Sequence, residues 1–173
     1  VEMQMGHGWP PVRHSLRMGL RPSLSIDVVT TVPGDMFTEM RAAFAADRAR
    51  VHAEMFEPNE QVPKEVLTAR EMLQAATIDG AYVAGVEDRT GSLTPGKQAD
   101  IVIIDAKSLN MVPIIDPVAA VVLCADVSNV DSVFVAGQAK KRDGNLLADV
   151  DKARADIETS RDYLLSAVAE KQQ

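Results

Sequence analysis

The chain has 173 residues, 46% of them hydrophobic and 25% charged, which is enough for one domain with a sizeable buried core. Its net charge of −7 opposes binding to nucleic acid or to an anionic membrane surface, and no apolar run approaches the ~20 residues that span a bilayer. Cys124 is the single cysteine, so we expect no intramolecular disulfide, a buried thiol and a cytoplasmic protein. The first residue is not Met, which leads us to expect a piece of a longer protein.

The first third of the chain predicts a helix, a strand and a second helix. A proline pair favours a short helix that ends at Gly19, and residues 21–27 indicate a brief strand with Asp27 at its carboxyl end. Asp35 is the expected N-cap of an amphipathic helix that runs to about Ala53. This order is typical of part of an α/β layer structure.

The middle of the chain predicts a helix, a turn and a strand. Thr68 and Glu71 form a capping-box pattern, and the helical spacing that follows continues to Gly85 without a break. Residues 94–97, Thr-Pro-Gly-Lys, indicate a tight turn. The next apolar run, Ile101–Ile104, is a β-branched stretch that predicts a strand covered on both faces.

The last third predicts a short helix, a hairpin and a long terminal helix. The short helix is expected at 118–124, and the hairpin pairs strands at 132–135 and 139–142. Apolar residues recur every seven positions within 149–170, with a charged opposite face. Because three heptads are short for a coiled coil, we expect this helix to pack on its own domain.

Three side chains are candidates for chemistry. Asp27, at the end of a predicted strand, suits a ligand of a divalent metal or an acceptor of a proton from water, although strand-end Asp residues also cap turns. His7, between two glycines, and Trp9 suit the lining of a substrate cleft, the alternative for His7 being a bonded loop residue. The three histidines show no metal-binding spacing, and neither a phosphate-binding loop nor a nucleophile elbow is found.

Two motifs with fixed spacing carry a family resemblance. Residues 68–81 have the form T-x-x-E-x-L-x-x-A-T-x-x-G-A, and residues 91–105 have the form G-S-L-x-x-G-K-x-A-D-I-V-x-x-D. Together they resemble the end of the catalytic domain in amidohydrolase-superfamily metal-dependent hydrolases. The similarity is strongest to the branch of cytosine, guanine and adenosine-type deaminases and chlorotriazine hydrolases. It covers residues 1–147, which correspond to the C-terminal third of such an enzyme.

The resemblance implies an α/β fold in three parts. Residues 1–88 are expected to form the C-terminal fragment of a (β/α)8 TIM-type barrel, and residues 89–148 part of a small accessory β-sandwich. A C-terminal amphipathic helix follows at 149–173. Asp27 matches the aspartate after the eighth barrel strand, which in this family ligates the metal and shuttles a proton. Asp100 matches a family position whose expected role is structural.

The implied function is hydrolysis or deamination of a non-peptide carbon–nitrogen bond in a cyclic amidine or heteroaromatic small molecule by metal-activated water. The metal is expected to be Zn²⁺ or Fe²⁺, with Asp27 as ligand and catalytic residue and His7 and Trp9 as substrate-binding residues. The other ligands are absent, so we expect the 173-residue chain alone to be inactive. The alternative is a non-catalytic α/β module. In either case unpaired strand edges lead us to expect a homo-oligomer.

Overall fold

A computed structural model describes residues 3–29, 32–54 and 66–171 of the chain. A helical layer formed by the first five helices lies beside a four-stranded antiparallel sheet, and a sixth helix ends the chain. The helices are α1 Val12–Arg17, α2 Met36–Glu54, α3 Ala69–Ala75, α4 Ile78–Val83, α5 Pro117–Leu123 and α6 Val150–Lys171, and the strands are β1 Ile101–Ile104, β2 Val130–Val135, β3 Gln138–Arg142 and β4 Asn145–Leu146.

Both predicted helix caps are confirmed. The N–H of Thr38 donates to Asp35 Oδ1 at 2.8 Å, so Asp35 satisfies one of the free donors at the start of α2. At the start of α3 the Thr68 hydroxyl accepts from the N–H of Glu71 at 3.2 Å, and the Glu71 carboxylate accepts from the N–H of Thr68 at 2.7 Å. The Asp35 bond fixes where α2 begins, and the reciprocal pair of bonds fixes where α3 begins.

The prediction of one unbroken helix up to Gly85 is wrong, because α3 ends at Ala75 and α4 begins at Ile78. Thr77 lies between them at φ −132° and ψ −96°, outside the helical region. Its hydroxyl donates to the carbonyl of Leu73 at 2.6 Å, a local bond that competes with helical hydrogen bonding. The apolar residues keep a helical spacing across the two residues between α3 and α4, so periodicity does not reveal the break.

The main core lies between the helices and is reinforced by a buried ion pair. Arg13 Nε on α1 lies 2.6 Å from Asp47 Oδ1 on α2, and Asp47 also accepts from the N–H of Leu67 at 2.9 Å. One carboxylate therefore ties α1, α2 and the residues before α3 together, at a depth where an unpaired charge is costly. The buried apolar side chains around these helices are Val12, Met40, Ala43, Leu67, Met72 and Val122.

The sheet is an antiparallel meander in the order β1-β2-β3-β4. The strand predicted at Ile101–Ile104 is confirmed, but its expected coverage on both faces is wrong, because Val102 is 55% and Ile103 is 47% exposed. β1 is an edge strand paired with β2, and the described residues cover only its two ends. The predicted hairpin is confirmed, with Ala136 and Gly137 both at positive φ in its two-residue turn.

Two burial predictions for the second half of the chain are wrong. The terminal helix is present, but none of its described residues is buried, so α6 does not pack on the described domain. Cys124 is exposed at the C-cap of α5, whereas Val122 and Ala125 on either side of it in the sequence are buried. An apolar pattern identifies a face of a helix without specifying which surface covers that face.

The two longest helices, α2 with 19 and α6 with 22 residues, carry charged side chains along their length. Among the helices of the described ranges, none combines the length and the apolar character needed to cross a bilayer.

Candidate functional site

The segment that leads to Asp27 has no regular secondary structure, so the strand predicted at residues 21–27 is wrong. A strand needs a neighbouring strand to complete its backbone hydrogen bonds, and the described sheet lies elsewhere in the molecule. One backbone bond attaches the segment to the helices: the N–H of Leu24 donates to the carbonyl of Ala75 at 3.2 Å. The Leu24 side chain also packs against the main core.

Arg21 attaches the beginning of the same segment to α4. Its Nε and Nη2 both lie 2.7 Å from Asp79 Oδ1, and its guanidinium lies 4.2 Å from the centre of the Tyr82 ring. The ion pair is partly exposed, which limits its contribution to stability. With the Leu24 bond, it fixes the path of the chain towards Asp27.

Asp27 has an unusual backbone conformation. Its φ is +59°, in the left-handed region that Asp tolerates better than most residues, and its N–H donates to Ser25 Oγ at 3.2 Å. The side chain is exposed, and within the described ranges its carboxylate has no hydrogen bond or ion pair. An unpaired carboxylate on a turned backbone is available to a ligand.

A cavity of about 370 Å³ opens beside Asp27. A second carboxylate, Glu39 in the first turn of α2, lines the same cavity. Sequence analysis did not select Glu39 as a site residue, because a first-turn Glu is ordinarily explained by the helix dipole. The other lining residues come from the N-terminal segment, α1, the segment before Asp27 and α2: Met3, Pro10, Pro11, Val12, Pro22, Ser23, Leu24, Ser25, Ala42 and Ala43.

The structure does not bring the predicted substrate-binding residues into this cavity. Trp9 lines a separate shallow depression of about 310 Å³, and Met3 lines both spaces. His7 is exposed in the N-terminal loop and lines neither space. Substrate binding by His7 and Trp9 therefore stays a prediction.

The described residues do not hold a catalytic metal by themselves. No three His, Cys, Asp or Glu side chains of residues 3–29, 32–54 and 66–171 come together in a way that could bind an ion. Asp27 is compatible with one position in a ligand set, whereas catalytic zinc is held by about three protein ligands. A catalytic zinc at Asp27 would need further ligands from outside the described residues.

A second region, the junction between α4 and β1, contains the sequence motif of residues 91–105, and its polar side chains form structural hydrogen bonds. Lys97 Nζ donates to the carbonyls of Glu87 and Thr90, the latter at 3.1 Å. Asp100 accepts from the Thr90 hydroxyl at 2.5 Å and from the N–H of Ala136 at 2.6 Å. Both bonds lower the pKa of Asp100 below its usual value, and the bond from the Thr90 hydroxyl has the larger effect. The structural role expected of Asp100 is confirmed.

Gly91 belongs to the same junction and permits a close approach of two segments. It adopts φ +83°, and a Cβ at this position would lie 2.6 Å from Ala81 Cβ and 3.0 Å from Ile78 Cα. An apolar cavity of about 700 Å³ separates α4 and its flanking residues from β1, and Asp100 is the carboxylate in its described lining. Because both Asp100 oxygens are already bonded, this cavity offers a packing surface rather than a reactive group.

Comparison with known proteins identifies a family for the chain. The profile of the amidohydrolase family matches residues 2–140. A 5-methylthioadenosine/S-adenosylhomocysteine deaminase of Teredinibacter turnerae is 31% identical over 82% of this chain and 30% of its own length. A 5'-deoxyadenosine deaminase of Methanosarcina barkeri is 30% identical over 96% of this chain and 36% of its own length. The chain thus spans about a third of the curated relatives that it matches.

Solved structures agree with this assignment. An adenosine deaminase from Xanthomonas campestris with bound zinc superposes with a TM-score of 0.84 and 27% identity, over 95% of this chain and 36% of that protein. The zinc complex of an atrazine chlorohydrolase from Arthrobacter aurescens superposes with a TM-score of 0.77 and 27% sequence identity, over 91% of this chain and 33% of that protein. The mixed α/β fold is confirmed. By its sequence and by its fold, the chain belongs to the amidohydrolase family.

Proposed function

We propose that this chain is part of a metal-dependent hydrolase that acts on a non-peptide carbon–nitrogen bond of a nitrogen heterocycle. Residues 1–88 then form the last portion of a (β/α)8 barrel, and residues 89–148 form part of an accessory sandwich. The observation that carries the proposal is Asp27, an unpaired carboxylate beside a cavity of about 370 Å³, at the position that the family resemblance assigns to a metal ligand.

In deamination, water adds to the carbon that bears the amine, and ammonia leaves. A proton has to move from the attacking water to the departing nitrogen, which requires a group that accepts it and releases it again. Asp27 is the proposed carrier, because its carboxylate is exposed to the cavity and within the described ranges has no other partner. A divalent metal, when bound, makes the attacking water more acidic.

The relatives suggest the first substrates to test. Those compared above are named for deamination of adenosine and of its 5'-modified forms, and the chlorohydrolase is named for atrazine. We propose a 6-aminopurine nucleoside as the substrate class and zinc as the metal, with triazines and Fe²⁺ as the alternatives. His7 and Trp9 are proposed to contact the substrate at the outer edge of the site.

Activity of a complemented chain tests the proposal. The upstream portion of the Methanosarcina barkeri deaminase, fused before this chain, is expected to yield zinc-dependent release of ammonia from 5'-deoxyadenosine. Asp27→Asn in the fusion should lower kcat by at least about 10³-fold, because the proton carrier is lost. Asp88→Asn, a change of the same chemistry on the surface outside the cavity, serves as the control and should leave kcat unchanged.

The 173-residue chain alone supplies the complementary measurement. With added Zn²⁺ it should release no ammonia from aminopurines or cytosine and no chloride or amine from chlorotriazines, because one carboxylate does not hold the metal. Substantial turnover by the chain alone would refute the need for further ligands. An active fusion that is insensitive to Asp27→Asn would refute the role of Asp27.

A second candidate is a non-catalytic module that persists as an oligomer. The half-exposed apolar side chains Val102 and Ile103 of β1 favour it, since an open edge strand with exposed apolar side chains invites association. Light scattering combined with the fusion assay separates the two functions. A stable oligomer whose fusion never gains activity supports the module.

A further inference from the structure

The terminal helix α6 presents an apolar stripe that no described part of the chain covers. Val150, Ile157 and Leu164 repeat at intervals of seven along the helix and are 42%, 70% and 61% exposed. Residues spaced by seven lie on one face, which is the position called a in a coiled-coil heptad. A stripe of this length on a 22-residue helix without buried residues indicates a surface for a partner.

The charges that flank this stripe differ in sign. With the three stripe residues at position a, Arg154 and Arg161 fall at position e on one flank, and Val168 follows them at the same position. Asp156 falls at position g on the other flank, with Tyr163 next. One flank is therefore basic and then apolar, and the other is acidic, then aromatic, and acidic again at Glu170.

This asymmetry selects one partner and one orientation. When two copies of the helix run parallel, position g of one copy faces position e of the next heptad in the other. Asp156 then meets Arg161, and Tyr163 meets Val168, twice each because the contact has two-fold symmetry. An antiparallel pair would set like positions against each other and bring Arg161 of the two copies together.

We propose that α6 joins two copies of this chain as a parallel two-stranded coiled coil. Asp156 and Arg161 each form an ion pair within their own helix. Asp156 lies 2.5 Å from Lys152, and Arg161 lies 2.8 Å from Asp162. Both residues can give up these pairs when a second copy of the helix binds. All four side chains are largely exposed, and such surface pairs contribute little to stability. Small residues occupy position d, so the apolar seam is narrow: Ala153, Ser160 and Ala167. The proposal does not rest on the proposed function.

Charge reversal in the full 173-residue chain tests the pairing. Asp156→Arg and Arg161→Asp, made singly, should each raise the dimer dissociation constant about tenfold, because both symmetry-related contacts between residues 156 and 161 become repulsive. The double variant exchanges the two charges and should restore the dissociation constant to within about threefold of the original. Glu158→Arg, on the outer face of the helix, is the matched control and should change nothing. Sedimentation over a concentration series measures the constants.

Disulfide trapping tests the orientation. In a Cys124→Ala background, Leu164→Cys should form an interchain disulfide rapidly under mild oxidation, because a parallel pair in register places the two thiols opposite each other. Glu158→Cys should form it slowly or not at all. A chain that is monomeric at every concentration overturns the proposal. An oligomer whose dissociation constant does not change with the charge reversals overturns the proposal as well.

Discussion

The junction at residues 86–100 and the segment at residues 20–27 belong to one molecule but are held very differently. In the junction, Lys97 and Asp100 each bond two groups, and Gly91 lies against α4 with no room for a side chain. In the segment before the cavity, Arg21 and one backbone bond hold the chain, and the carboxylate at its end has no described partner. The residues that identify the family therefore stabilise the fold, whereas the residue proposed for chemistry is left free.

The largest effect should come from the tightest contact of the junction. Gly91→Ala is expected to lower the free energy of unfolding by about 3 kcal/mol, because the new methyl group meets Ala81 and the backbone of Ile78 at a positive φ. Gly85→Ala is the matched control: its φ is +68° with open space around it, so about 1 kcal/mol of backbone strain is expected. Urea denaturation measures both. Equal losses would contradict the close approach.

The second-largest loss of stability is expected from a change of Lys97 in the junction. Lys97→Met keeps the length of the half-buried side chain but removes the donor to two carbonyls, so the free energy of unfolding should fall by about 1–2 kcal/mol. Lys107→Met, at an exposed position, should change it by less than about 0.5 kcal/mol. If the two variants unfold at the same urea concentration, the lysine of the motif has no role in stability.

The pH dependence of stability tests Asp100. Its pKa is lowered in the folded protein from the usual 3.8, so its contribution is complete above that value and is lost as the pH falls through the lower folded pKa. Asp100→Asn should therefore flatten the loss of stability below about pH 4. Thr90→Val removes the largest cause of the lowered pKa and should flatten the same part of the profile. Unchanged acid denaturation in both variants would contradict this assignment.

The smallest effect on stability is expected at the cavity. Asp27→Asn should change the free energy of unfolding by less than about 0.5 kcal/mol, because the exposed carboxylate stabilises no described contact. The same substitution should abolish the activity of the complemented chain, and that separation sharpens the contrast between the two regions. A loss of more than about 1 kcal/mol would show that Asp27 supports the fold.

Much of the secondary structure follows from local rules. Asp35, Thr68 and Glu71 cap the predicted helices because capping depends on atoms within a few residues. The break at Thr77 and the exposed face of β1 were not predictable in this way. The break depends on one residue's dihedral angles, and coverage of a face depends on a second layer that periodicity does not specify.

The candidate site likewise combines a residue that the sequence indicates with residues whose positions depend on tertiary packing. Asp27 follows from the family resemblance, and the cavity beside it supports its selection. Glu39 was missed, because its position in the first turn of α2 has an ordinary structural explanation and its approach to the cavity depends on tertiary packing. His7 and Trp9 were selected from loop composition, which does not fix the direction in which a loop runs.

The interruption between α3 and α4 has a consequence for attempts to engineer the protein. In a continuous helix the carbonyl of Ala75 would accept from the N–H of Asp79, whereas here it accepts from the N–H of Leu24. Replacing Thr77 by a strong helix former, a common stabilising change, is expected to restore that internal bond and to release the segment at residues 20–27 from its attachment to Ala75. A more regular helix would thus loosen the approach to Asp27, so an irregularity that design for helix propensity would remove connects the helices to the segment of the candidate site.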